Sequence, residues 1–123
     1  RLPSSKVIAQ QLKPLLKPTD TVVFYETFYP DISLYLDHNV LIAGDFADER
    51  LWDNWRLDFY QGLKDPKYQP QQLTPKQLKE RWLSHKKVYI LTSDKMMSKF
   101  RQINLPDRHL MAHHQHLWLF RND

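Results

Sequence analysis

Three apolar runs, DTVVFYE, NVLIAG and KVYILTS, are each of strand length and rich in β-branched and aromatic residues. Segments of helical character separate them. Such runs suit a pleated surface covered on both sides. Strands that alternate with helices need right-handed crossovers, which place helices on both faces of a parallel sheet. The expected fold class is therefore α/β: a three-layer, Rossmann-like arrangement with a mostly parallel sheet. The closing stretch RHLMAHHQHLWLFRND adds two strands around a polar turn, expected as a hairpin at one edge.

The intervening segments carry their own signals. Ser4 or Ser5 is placed to cap a helix with Ile8, Leu12 and Leu15/Leu16 on one face. Pro14 should kink or end that helix, because proline removes a backbone donor and crowds the preceding turn. Pro30-Asp31 opens a short helix whose apolar weight lies in Ile32, Leu34, Tyr35 and Leu36. A longer helix is expected over residues 47–63, where Trp52, Trp55, Phe59 and Leu63 recur at three- and four-residue steps. That spacing fits a core stripe better than a sugar-stacking platform. KDPKYQPQQLTP, polar and broken by three prolines, is expected to be loop. Thr74-Pro75-Lys76-Gln77 has the pattern of a capping box with proline at the first helical position, and Leu78 and Trp82 follow on one face. Ser93 or Asp94 should cap a further helix through Met97 and Phe100.

At 123 residues the chain is expected to be one domain, 1–123. No apolar run approaches the roughly 20 residues of a membrane-spanning helix. Cysteine is absent, which excludes disulfides and thiolate metal sites. The sequence opens Arg-Leu-Pro, without an initiator methionine or a signal-peptide pattern, and is expected to be a segment of a longer protein.

The presumed nucleotide-binding step is where function becomes legible. Between the first two strands lies FYETFYPDISLYLDHNVLI, a βαβ unit whose turn carries Tyr25, Phe28, Tyr29 and Pro30. Dinucleotide sites need glycines there, so that the backbone can approach a pyrophosphate at a helix N-terminus. The chain has only Gly44 and Gly62, so GxGxxG, Walker and nucleophile-elbow motifs are all excluded. No catalytic residue and no cofactor is expected. If a ligand binds, the carboxyl edge of the sheet is the expected place, with Tyr25, Glu26, Tyr29, Asp45 and Ser93 as candidate contacts. Acids Asp45, Asp48, Glu49, Asp53 and Asp58 cluster, but near a helix start, where they suit the macrodipole. His113, His114 and His116 crowd the terminal turn with Asp107 as the nearest preceding carboxylate, and in a hairpin His114 and His116 would share a face. A polar connection rather than a metal site is expected there.

Charge is unevenly distributed. Residues 1–62 hold six basic against nine acidic side chains, and residues 63–123 hold twelve against five. A basic second half suggests an anionic partner. Lys76, Lys79, Lys86, Lys87, Lys95, Lys99 and Arg101 are the candidate contacts to anionic lipid or a phosphorylated glycolipid. Nucleic acid is not expected, because no recognition module accompanies the charge.

With these residues in view, YPDISLYLDHNVLIAGD resembles the C-terminal soluble domain of the aminoarabinose-transferase and protein O-mannosyltransferase-like membrane glycosyltransferases of the GT-C class. SSKVIAQQLKP before the first strand, the Trp82–Leu91 step and the closing HLWLFRN agree with that resemblance. His38-Asn39 departs from it, standing where the family usually has Arg-Pro. The resemblance implies a non-catalytic domain on the periplasmic or extracytoplasmic face of the inner membrane. Its partner would be the membrane-embedded portion of the same chain, which holds the family's catalytic carboxylates and transfers a sugar from a polyprenyl-phosphate donor. A stand-alone Rossmann-like ligand- or nucleotide-binding domain is the alternative, and a nucleic-acid-binding module the second.

Overall fold

The computed structural model describes residues 3–45 and 71–123. The helix expected over residues 47–63, with its aromatic stripe and most of its acidic cluster, lies outside them.

Strand β1 (Thr21–Tyr25) is buried at every position, as its unbroken apolar sequence requires. It pairs in parallel with β2 (Val40–Ala43) on one side and with β4 (Val88–Ser93) on the other. Strand β3 (Gln71–Leu73) extends the parallel ladder beyond β2. On the far side, β6 (Leu117–Arg121) runs antiparallel to β4, and β5 (His109–His114) forms the hairpin edge. The order is β3-β2-β1-β4-β6-β5, a mixed six-stranded sheet with its antiparallel part confined to the terminal hairpin.

Period-two alternation divides the core between two faces. Val22 and Phe24 join Val40, Ile42, Tyr89, Leu91, Leu117 and Leu119 on one face. That face is covered by Ile8, Ala9 and Leu12 of helix α1 (Ser4–Leu12) and by Ile32 and Leu36 of α2 (Pro30–Leu36). Val23, Tyr25 and Ile90 face the other way, under Leu78 and Trp82 of α3 (Pro75–Trp82) and Met97 and Phe100 of α4 (Met97–Arg101).

Three local expectations change. Gln71–Leu73 is strand rather than loop: with no β-branched residue to mark it, the segment is strand because it pairs with β2 and buries Leu73. Neither Ser4 nor Ser5 caps α1; Pro3 holds the N-cap position, and the two hydroxyls donate instead to Gln115 and Asp31. Nor does Ser93 or Asp94 cap α4 directly, because a 3-10 turn, Asp94–Met96, intervenes and the Asp94 carboxylate turns toward the hairpin. By contrast the Thr74–Gln77 capping box forms in both directions, and α1 gives way at Pro14 to a 3-10 turn, Lys13–Leu15.

Candidate functional site

Strand order reverses at β1, so the gap between the ends of β1 and β4 is where an α/β sheet ordinarily receives a ligand. Glu26 is the first residue beyond β1 and sits there in the left-handed region, at φ 51°. Its N–H still donates to the Ala43 carbonyl, which ties the bend to β2. The bend turns the side chain inward. Only 2 % exposed, Glu26 Oε1 accepts from the Lys99 ammonium at 2.8 Å and from the Asp45 backbone N–H at 2.8 Å. Room for the carboxylate comes from Gly44, where a Cβ would stand 2.7 Å from Glu26 Oε1. The glycine therefore admits an acidic side chain, not a phosphate.

The aromatic crossover closes the same edge from the α1/α2 face. Phe28 meets Phe24 edge-on at 5.4 Å between centroids, and Tyr29, half-buried at the α2 N-cap, lies 6.3 Å from Phe24. Contacts of this kind contribute about 0.5–1.5 kcal/mol beyond area burial. The crossover serves packing.

Of the other candidate contacts, Tyr25 is buried with its ring 5.3 Å from Phe100, and its carbonyl accepts from Thr92 Oγ1. Asp45 is exposed, and Ser93 is half-buried opposite Leu117. The candidate basic residues do not form one track. Lys95 and Lys99 follow β4, whereas Lys86 and Lys87 precede it at the opposite edge. Lys76 and Lys79 lie on α3, Arg101 ends α4, and the Lys99 ammonium is engaged by Glu26.

A second cluster on the carboxyl edge is one that sequence spacing did not reveal. Asp94 accepts from the Trp118 indole N–H and from His116 Nδ1 at 3.1 Å, and His113 Nε2 lies 3.6 Å from its other oxygen. The His113 ring stacks on Trp118, with centroids 3.5 Å apart. The Trp118 indole first, and the His116 ring second, hold the Asp94 carboxyl below the usual carboxylate range. Thus His113 and His116 converge on a carboxylate, whereas His114 and His116 do not share a site. His114 pairs with Leu117 and Gln115 takes φ 54°, so strand alternation stops before His116. The partner is Asp94, twenty-two residues from His116, rather than Asp107. The Asp94–Leu117 neighbourhood follows from β4–β6 pairing, which no local motif announces. Among the described residues, no group of three or more His, Asp or Glu side chains is arranged to hold a metal ion.

A depression among the described residues lies at the opposite, amino edge. A groove of about 490 Å³ runs between the Leu15–Asp20 loop, the end of α3 and the Asn122-Asp123 tail.

No family model matches the sequence, and no curated protein does either. Solved structures do match its fold. ArnT from Cupriavidus metallidurans bound to undecaprenyl phosphate superposes with a TM-score of 0.65 and 18% identity, over 98% of this chain. The apo form of that protein gives a TM-score of 0.65 at 17% identity, again over 98% of this chain. In each case this chain spans 20% of the matched protein. The fold is thus that of a fifth of an aminoarabinose transferase, the same class of protein that the sequence resembles.

Proposed function

We propose that this chain is the extracytoplasmic, non-catalytic domain of a GT-C membrane glycosyltransferase, built as a three-layer, Rossmann-like unit. In such an enzyme a sugar passes from a polyprenyl-phosphate donor to a lipid or protein acceptor. The observation that carries this reading is the match of fold over 98% of the chain to part of ArnT. The filled switch point supports the non-catalytic part. The Glu26 side chain packs over Gly44 and is paired with Lys99, so the one glycine at this edge among the described residues backs a carboxylate instead of a phosphate cradle.

Among the described residues no helix is long and apolar enough to cross a membrane. In this reading, anchoring and bond making belong to a membrane-embedded portion of the same chain, on the periplasmic side of an inner membrane. The exposed lysines Lys76 and Lys95 would face anionic lipid or phosphorylated glycolipid, each contributing on the order of 1 kcal/mol near such a surface.

Two measurements test the reading. The reading frame upstream of the Arg1 codon should encode several apolar spans of about 20 residues each; a frame without them removes the membrane setting. In amide NMR, nucleotides and nucleotide-sugars should leave Glu26–Tyr29 and Ser93–Met96 unperturbed. Saturable shifts confined to those residues would instead establish a ligand-binding domain with its site at the carboxyl edge.

A further inference from the structure

We draw no further inference here: the strongest candidate, the exposed apolar patch of Leu15, Leu34 and Tyr35 where the Lys13–Leu15 turn meets the end of α2, is an unpartnered apolar face, and nothing in the structure shows what covers it.

Discussion

The Lys99 ammonium lies 2.8 Å from Glu26 Oε1, and the two residues are 73 positions apart in the chain. Their environments differ sharply: the Glu26 side chain is 2% exposed and the Lys99 side chain 47% exposed. Removing one partner is therefore not equivalent to removing the other. Loss of the ammonium leaves a buried charge with less compensation, whereas loss of the carboxylate charge leaves an ammonium already half in water. Lys99→Ala should destabilise the chain by about 1–3 kcal/mol. Lys99→Ala in a Glu26→Gln background should cost clearly less. Urea unfolding of the four proteins measures both; equal costs in the two backgrounds would show that the pair is not coupled.

Gly44 gives a second, steric prediction about the same carboxylate. A Cβ at Gly44 would lie 2.7 Å from Glu26 Oε1 and 2.8 Å from Cδ, and the carboxylate cannot swing away without releasing Lys99 and the Asp45 N–H. Gly44→Ala should cost about 1–3 kcal/mol, the usual range for overpacking a filled site. In a Glu26→Ala background the same substitution should be close to neutral. A double-mutant cycle reads the difference directly as a coupling energy.

How far the sequence carried this site can be judged residue by residue. The absence of phosphate-cradling glycines is a property of composition, so the exclusion of a nucleotide loop needed no structure. The parallel core strands were equally visible, because strands covered on both faces must be apolar throughout. Strand β3 was hidden for the converse reason. Gln71-Gln72-Leu73 has no intrinsic strand preference, and its pairing comes from the open edge of β2. The Glu26–Lys99 pair was hidden by sequence separation, since its meeting depends on α4 folding back over the sheet. Asp94 failed as a predicted cap for a related reason. Its side chain has a competing donor in Trp118, which β4–β6 register brings alongside.

Removing the cap that does form should be felt locally. Thr74 Oγ1 accepts from Gln77 N–H at 3.1 Å, and Gln77 Oε1 accepts from Thr74 N–H at 2.8 Å. Thr74→Ala should destabilise the chain by about 0.5–2 kcal/mol. Hydrogen exchange should rise first in the opening turn of α3, whose later residues Leu78 and Trp82 are anchored in the core. Unchanged protection at Gln77 would mean that the box contributes nothing.

Asp94 makes the hairpin turn sensitive to acid, and the sign follows from the direction of its shift. Its carboxyl is held below the usual range in the folded chain, chiefly by the Trp118 indole and then by His116. A carboxyl depressed in this way stabilises the fold above its unfolded value, near 3.8, and that contribution is lost as pH falls through the lower folded value. The hairpin should therefore be stable to acid until below about pH 4, where protonated Asp94 no longer accepts strongly from Trp118. The Trp118 indole proton, observed by NMR, should then move and exchange faster. Asp94→Asn should shift that resonance already at neutral pH and abolish its acid transition. The histidines facing Asp94 do not reproduce this behaviour, because their protonation strengthens the attraction to the carboxylate instead of removing it. An acid transition at Trp118 that survives in Asp94→Asn would assign the effect to another group.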